Sequence, residues 1–272
     1  MSTATETDLL GPPRSRATRV GAFVRRDVIR QLRLVESVFF IAVLPTALFL
    51  MFGTLSGDWN AIEVGHGNVM ATTMTSMALY GAVTATTSIA GSAAVERQLG
   101  WGRQLSLTAV TGSDYILGKV AVALGIAVLP VALVMTVGAA VGAHLDGPGR
   151  WSATAALILI GALPFALYGL AAALLFRSEA AVSAASGLLV VFGFLGNLFT
   201  PLDGVILDVA RFTPLYGAGT LARWPQLEGT VLGTMGPSDT ADPLWGALLS
   251  LGVWTAVFAA LCLLGLRRRT RR

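Results

Sequence analysis

The sequence has few of the residues that a water-soluble domain needs on its surface. Only 12% of its 272 residues are charged, while 54% are hydrophobic, and a soluble domain has about 25% charged residues. A chain of this size without enough charge to cover its outside is expected in a membrane. Its one cysteine excludes a disulfide framework. Its two histidines, His66 and His144, exclude a histidine-rich metal cage, and we expect no metal site.

Long uncharged stretches take the place of the missing charge. A helix needs about 20 mainly apolar residues to cross about 30 Å of hydrocarbon. Six stretches satisfy this requirement: residues 38–56, 69–95, 120–143, 153–176, 180–200 and 244–266. None has a charged residue in its middle, where a secondary carrier would need an ion-coupling acid. The sequence therefore predicts an all-α integral membrane protein with six transmembrane helices.

Positive charges are distributed unevenly among the loops between these stretches. With a cytoplasmic N-terminus, sixteen of the 19 Lys and Arg residues lie on the cytoplasmic side, and only Arg150, Arg211 and Arg223 lie outside. Cytoplasmic loops of membrane proteins carry such an excess, so both termini are predicted to be cytoplasmic. The membrane also explains the net charge of +4, and we expect no nucleic-acid partner.

The segment before the first span is predicted to have two parts. Residues 1–16 are polar and contain proline, which is typical of a disordered cytoplasmic tail. Residues 17–36 have helical periodicity, with Val20, Val24 and Val28 on one face and arginines opposite. Such a helix is expected to lie on the inner membrane surface, in contact with anionic lipid. The alternative is a helix packed on another domain. Residues 267–272 form a basic cytoplasmic tail.

Residues 96–119 form the longest predicted cytoplasmic loop. The loop mixes charge with Trp101, Leu105 and Tyr115, which suits a short helix that docks in a groove on a partner. The alternative is an ordinary solvated connection. Residues 112–119 resemble a P-loop, but five residues separate the glycines and Val120 replaces the hydroxyl residue that binds magnesium. The chain is therefore not expected to be an enzyme by itself, and ATP hydrolysis would need a separate subunit.

The loop also carries a family pattern. Its members are Glu96, Gly100, Arg103, Leu105, Thr108, Tyr115, Gly118 and Lys119. This stretch and the order of the parts resemble the membrane subunit of an ABC-2 type (type V exporter) transporter, a group that includes daunorubicin- and linearmycin-resistance permeases. Ala109 stands where the family usually has proline. The resemblance implies that the partner ATPase is coupled through Glu96, Gly100, Trp101, Arg103, Leu105, Thr108, Tyr115 and Lys119.

A second stretch of the same resemblance precedes the last span. Residues 199–202 read Phe-Thr-Pro-Leu, and residues 212–216 read Phe-Thr-Pro-Leu-Tyr. The family has a re-entrant helical hairpin here, which implies one at residues 201–223, with Pro201, Asp203, Pro214, Tyr216 and Arg223 as its marker residues. Residues 205–212 and 215–222 would each form about 12 Å of helix, too short to cross the membrane.

Hydroxyl side chains recur every four residues along the second span. Thr72, Ser76, Tyr80, Thr84 and Ser88 form this stripe. We interpret it, together with Asn197, as part of a substrate pathway. The alternative is that small hydroxyl residues pack the helices together or bond to their own backbone.

The resemblance implies a function for the whole chain. It predicts a permease in a bacterial cell membrane that forms a homo- or heterodimer, binds cytoplasmic ABC ATPases and exports a hydrophobic or amphiphilic drug, antibiotic or lipid. The chain itself would bind no cofactor, because ATP and Mg²⁺ belong to the ATPase. Two alternatives stay open: a membrane-embedded enzyme that uses His66, His144, Asp146 and Asp58, and a non-transporting sensor or immunity protein.

Overall fold

The computed structural model describes residues 16–34, 39–55, 57, 61–96, 112–176, 178–234 and 236–270. Within these ranges the chain forms nine α-helices and one two-stranded sheet. The helices are α1 (Arg16–Leu32), α2 (Leu44–Leu55), α3 (Val69–Glu96), α4 (Gly112–Val141), α5 (Gly147–Phe176), α6 (Glu179–Leu195), α7 (Gly204–Ala210), α8 (Pro214–Leu227) and α9 (Leu244–Thr270). A π-helical turn, Phe39–Val43, leads into α2, and the strands are β1 (Thr230–Gly233) and β2 (Gly236–Ala241).

The predicted fold class, a helical membrane protein, is confirmed. In the described part of the chain, three helices are both long and apolar enough to cross a membrane: Gly118–Val141, Gly147–Phe176 and Leu244–Gly265. The first and fifth predicted spans correspond to shorter apolar helices, Phe39–Gly53 and Ala180–Leu195. Helix α3 has 28 residues, enough for a crossing, but Thr and Ser residues occur throughout its length.

Helix α3 lies at the centre of the bundle. All of residues 74–87 are buried, and the helix packs mainly on α4 and α5, with further contacts to α2, α6 and α8. Its small residues allow this close approach: the Thr86 hydroxyl donates to the Ala162 carbonyl at 3.1 Å, and the Thr87 hydroxyl donates to the Phe165 carbonyl at 3.3 Å. A helix buried on every side has no solvent-facing stripe, which explains why α3 has no clear amphipathic pattern.

Several helix boundaries differ from those predicted. Helix α4 begins at Gly112, eight residues before the predicted start at Val120, so it includes the last part of the loop 96–119. The fifth span ends at Leu195 and not at residue 200, because the chain turns at Asn197, which has a φ of 55°. Hydropathy locates the apolar centre of a helix, but it does not detect a polar end that continues out of the membrane.

The predicted hairpin before the last span consists of a short helix and a longer one. Helix α7 has seven residues and α8 has 14, so α8 continues five residues beyond the predicted end at residue 222. Pro214 occupies the first turn of α8, where no intrahelical N–H is needed. The helix ends at Glu228, whose left-handed φ of 49° closes its last turn.

The two-stranded sheet was absent from the sequence prediction. Strands β1 and β2 pair antiparallel, with Gly233 opposite Gly236. The hairpin that β1 and β2 form packs on α7 and α8, where Val231 is buried against Leu207, Ala210 and Tyr216. Strands this short carry little periodicity, so the sequence alone did not reveal them.

The bundle has two ends. We call the end formed by α1, the C-terminal end of α3 and the start of α4 the loop end, because residues 97–111 connect there. We call the opposite end, formed by residues 61–68, 142–150 and 196–243, the hairpin end. Residues 1–15 and 97–111, on which the predicted tail and most of the predicted coupling loop fall, lie outside the described residues.

Candidate functional site

An ion pair joins α1 to α4 at the loop end. Lys119 Nζ lies 2.9 Å from Asp27 Oδ2, and their side chains are only 5% and 7% exposed. Asp27 Oδ1 also lies 2.8 Å from Arg30 Nη2. Burying either charge alone would be costly, so each stabilises the other in this position. Lys119, the only lysine, therefore lies in a buried ion pair and not on an open docking surface.

The same contact explains the glycine before Lys119. A side chain at Gly118 would start 2.7 Å from Phe23 Cδ1, so the Phe23 ring occupies the space that a Cβ would need. One residue later, Lys119 meets Asp27, one helical turn along α1. The pair Gly118-Lys119 thus brings α1 against α4. We refer to Phe23, Asp27, Gly118 and Lys119 as the α1–α4 junction.

The buried face of α1 differs from the predicted apolar face. Val24 and Val28 pack against the core of the bundle, and Asp27 and Gln31 are also buried on this side. Leu32 is 44% exposed, since it lies outside this contact. This face of α1 packs on α4.

The other predicted coupling residues are only partly placed. Glu96 is the last residue of α3, and Tyr115 lies in the first turn of α4. Gly100, Trp101, Arg103, Leu105 and Thr108 fall outside the described residues. Because α3 ends and α4 begins beside the junction, both attachment points of residues 97–111 lie at the loop end.

A cavity of about 80 Å³ lies at the hairpin end, between the start of α3 and α8. It brings together two sets of residues that the sequence analysis treated separately, the span-2 stripe and the hairpin. Its polar lining includes Thr72, Ser76, Asn197, Tyr216, Thr220 and Arg223.

Arg223 and Asp242 are the two charged residues that line this cavity. The Arg223 side chain reaches from α8 to α3, and the residue is only 7% exposed. The Nη1 group donates to Ser76 Oγ at 3.0 Å and to the Asn197 carbonyl at 2.8 Å. Asn197 in turn fixes the turn after α6, because its Oδ1 accepts from the Leu202 N–H at 2.9 Å. Asn197 therefore both lines the cavity and shapes its wall.

A second polar group contains Tyr216 and Asp242, which also line the cavity. The Tyr216 hydroxyl donates to Asp242 Oδ2, and Arg211 Nε donates to Asp242 Oδ1 at 3.1 Å. Arg211 Nη1 lies 2.9 Å from Asp208 Oδ1 as well. These contacts connect α7, α8 and the turn before α9, so Tyr216 has a structural partner and Arg211 is shared between Asp242 and Asp208.

The rest of the span-2 stripe lies away from this cavity. Tyr80 is buried with its ring centre 5.0 Å from that of Phe199. The Thr84 hydroxyl donates to the Tyr80 carbonyl of its own helix at 2.8 Å, and Ser88 is half-buried. For Thr84 the observed contact is the backbone bond of the alternative interpretation.

The remaining hairpin markers lie in its turns. Asp203 Oδ2 accepts from the Thr234 amide at 2.7 Å and from the Thr234 hydroxyl, which ties the start of α7 to the strand hairpin. The Thr234 hydroxyl bond, followed by the amide bond, holds the pKa of the Asp203 carboxyl below its usual value. Pro201 is exposed in the turn before α7, and Pro214 is buried at the start of α8.

The residues proposed for an enzyme site are only partly assembled. His66 Nδ1 lies 3.3 Å from Asp146 Oδ2, and His66 Nε2 lies 3.2 Å from Glu228 Oε1. His144 is exposed, and its backbone N–H donates to Asn68 Oδ1. In the described ranges no group of three or more His, Cys, Asp or Glu residues could hold a metal ion. Asp58 lies outside those ranges.

Sequence reasoning missed several residues that hold these sites together. Gln226 is 1% exposed; its Oε1 accepts from the Thr72 hydroxyl at 3.1 Å and its Nε2 donates to the Asn68 carbonyl at 2.8 Å. Asp27 and Asp242 supply the carboxylates described above. The sequence did contain a signal for Asp27. It is the only acidic residue of α1, and a single acid on a basic amphipathic helix indicates a specific partner. We find no such local signal for Gln226.

Comparison with known proteins decides the family. A family profile described as ABC-2 type transporter matches residues 18–222, about three quarters of the chain. The chain belongs to the ABC-2 type transporter family. The match begins in α1 and ends in α8, so it includes both the α1–α4 junction and most of the hairpin-end cavity. The search of curated proteins found no match. As a family member, the chain is the membrane component of an ABC transporter, a permease that is not itself catalytic.

Proposed function

We propose that this ABC-2 permease exports a hydrophobic or amphiphilic molecule and is driven by a cytoplasmic ATPase that docks on residues 96–119. The observation that carries the proposal is the α1–α4 junction, which sits where that segment joins the bundle. A partner that pushes on the segment would move α4 directly. It would move α1 as well, because the buried ion pair and the Phe23–Gly118 contact hold the two helices together.

The charge distribution supports a cytoplasmic loop end. Most Lys and Arg residues lie before α2, in 96–119 and from residue 267 onward, and such an excess favours the cytoplasmic side. In this orientation both termini face the cytoplasm of a bacterial cell, and the hairpin end faces outward. Residues 201–223 would then enter the outer part of the membrane without crossing it.

The proposed complex contains two permeases and two ATPases. The ATPases would bind ATP and Mg²⁺, since the one P-loop-like stretch of this chain lacks the residues for phosphate and magnesium. Several large apolar side chains at the hairpin end are exposed. Among them, Val205 is 79% exposed and Phe212 is 80% exposed. These surfaces suit contact with lipid or with a second permease, either a copy of this chain or a relative.

The proposed mechanism transfers motion from one end of the bundle to the other. Helix α3 contacts α2, α4, α5, α6 and α8, and close packing makes such a bundle shift in discrete steps. Nucleotide binding can drive transport only if cargo binds the two conformations with different affinity. The span-2 residues that line the hairpin-end cavity, Thr72 and Ser76, would contact cargo. Tyr80 and Thr84 would instead maintain the packing of α3.

Co-purification with transport tests this proposal. When the full chain is purified from membranes of its native cell, a soluble protein that hydrolyses ATP should co-purify with it. The reconstituted complex should expel a fluorescent amphiphile from vesicles only with ATP, and a variant of the ATPase unable to hydrolyse ATP is the control. Purification without an ATPase, in a chain that still folds, would favour the sensor or immunity alternative.

A further inference from the structure

Arg223 is a buried cation without a carboxylate of its own. Among the described residues, no carboxylate oxygen lies within 4.0 Å of its guanidinium. Its two hydrogen bonds go to neutral acceptors, Ser76 Oγ and the Asn197 carbonyl. A buried charge is ordinarily paired, and a buried ionisable residue in a membrane protein is a candidate for a functional site.

The nearest acid already has partners. Asp242 accepts from Tyr216 with one carboxylate oxygen and from Arg211 with the other. Asp242 lines the same cavity as Arg223, but these two contacts take up both of its carboxylate oxygens. Asp208 also pairs with Arg211 and is 67% exposed, so it does not neutralise Arg223. The cavity thus presents a positive group that these acids leave without a direct partner.

The guanidinium of Arg223 is held in place by two hydrogen bonds and has further N–H groups that could bind a ligand. Both bonds use Nη1, while Nε and Nη2 donate to no acceptor among the described residues. A guanidinium offers several N–H groups in a fixed plane, which matches two oxygens of a phosphate or carboxylate. The Thr220 side chain lines the same cavity one helical turn before Arg223 and adds a hydroxyl donor.

We propose that this cavity binds a phosphate or carboxylate group, and that Arg223 is the residue that receives it. The cavity measures about 80 Å³, whereas a cavity that accepts benzene measures about 150 Å³. The space suits a small anionic group and not a whole amphiphile. Leu198, Phe199 and Leu232 form an apolar part of the wall, so the group is the head of an amphiphile whose tail continues along apolar surface. That this amphiphile is the exported cargo rests on the proposed function.

A titration with matched detergents tests the site. The full chain is purified in dodecyl maltoside and titrated with dodecyl phosphate, which has the same tail and an anionic head. We expect a saturable rise in Tm, because a ligand that binds only the folded state stabilises it. Inorganic phosphate at the same concentrations forms the second arm. A rise with dodecyl phosphate alone assigns the site to an amphiphile. An equal rise with inorganic phosphate overturns that assignment and leaves a site for the free anion.

Three variants identify the residue. In Arg223→Lys the charge remains but the planar fork is lost, so the affinity should fall about tenfold or more. In Arg223→Gln the Tm rise should disappear. If Arg223→Gln does not fold, Thr220→Leu replaces it as the test. This substitution fills the cavity and leaves Arg223 in place, so the Tm rise should again disappear. Arg150→Gln, at the same end and paired with Glu228, is the matched control and should respond as the wild type does.

The outcomes separate this inference from the proposed function. An equal response of the wild type and of Arg223→Gln or Thr220→Leu would overturn the anion site, even if the chain still binds an ATPase and transports. Conversely, an Arg223-dependent rise in a chain that has no ATPase partner would leave the site intact and remove only its link to export.

Discussion

Lys119 Nζ lies 2.9 Å from Asp27 Oδ2, and both side chains are more than nine-tenths buried. The contact joins the helix that precedes the first span to the helix that follows the loop 96–119. Burying a charge without a partner carries a large desolvation cost. The pair therefore makes α1 and α4 a single mechanical unit at the point where the ATPase is proposed to act.

Breaking this pair should destabilise the bundle. Breaking a buried ion pair by removing one member costs about 3–5 kcal/mol, and Lys119→Met should cost less than Asp27→Leu, because Asp27 keeps its contact with Arg30. We expect Lys119→Met and Asp27→Leu each to lower the Tm of the purified chain strongly. The loss in the double variant should be smaller than the sum of the two single losses, because all three variants remove the same interaction. Arg25→Ala, an exposed position on the same helix, is the control and should change little. Additive losses in the double variant would contradict a direct pairing.

Close packing between α3 and α5 gives a second prediction. A Cβ at Gly169 would collide with the Thr87 backbone carbonyl, which cannot move without shifting α3. Gly169→Ala should therefore destabilise the chain by about 1–3 kcal/mol, the usual cost of overpacking. Gly187 of α6 has no atom within 4 Å of its Cβ position, so Gly187→Ala is the matched control. Equal Tm values for the two variants would show that α3 and α5 are not packed this closely.

Long apolar stretches predicted most of the helices because hydrocarbon thickness sets their length. The same criterion missed the start of α4 at Gly112, since its first turns are polar. The strand hairpin after α8 was also missed, because short strands become stable only by pairing with each other. Pairings between distant residues, such as Asp27 with Lys119, depend on the packed fold. The sequence predicted that Arg223 belongs to the hairpin. That its side chain is buried against Ser76 could be learned only from the fold.

The link between Asp203 and Thr234 predicts a pH dependence. The pKa of Asp203 is lowered in the folded state by the two Thr234 hydrogen bonds. Its stabilising effect is therefore fully present above the unfolded-state pKa, near pH 4, and is lost as the pH falls through the lower folded-state value. Wild-type protein should exceed Asp203→Asn in Tm at pH 7, and the difference should shrink below about pH 4.

Thr234→Val provides the control for that experiment. It removes the hydroxyl donor and keeps the amide donor, so the pH-dependent difference should become smaller without disappearing. A constant difference between wild type and Asp203→Asn from pH 7 to pH 3 would mean that the Asp203 carboxylate makes no contribution of its own to the hairpin.

The loop end should also control coupling. Glu96 ends α3 and Tyr115 begins α4, so both flank the segment on which the ATPase is proposed to dock. We expect Glu96→Arg or Tyr115→Ala to abolish stimulation of the ATPase by the permease and to leave membrane insertion unchanged. Full ATP-driven transport after either substitution would count against a docking role for these two positions.

Site-specific cross-linking tests the central claim, that a separate ATPase drives this permease through residues 96–119. Cys262 is the only cysteine, so Cys262→Ala provides a background in which one new cysteine can be placed. A cross-linker at Leu105→Cys should capture the soluble ATPase in membranes of the native cell, and ATP should change the yield. Ala241→Cys, exposed at the hairpin end, should capture none. Capture at Ala241→Cys, or labelling of Leu105→Cys only from outside the cell, would contradict the claim.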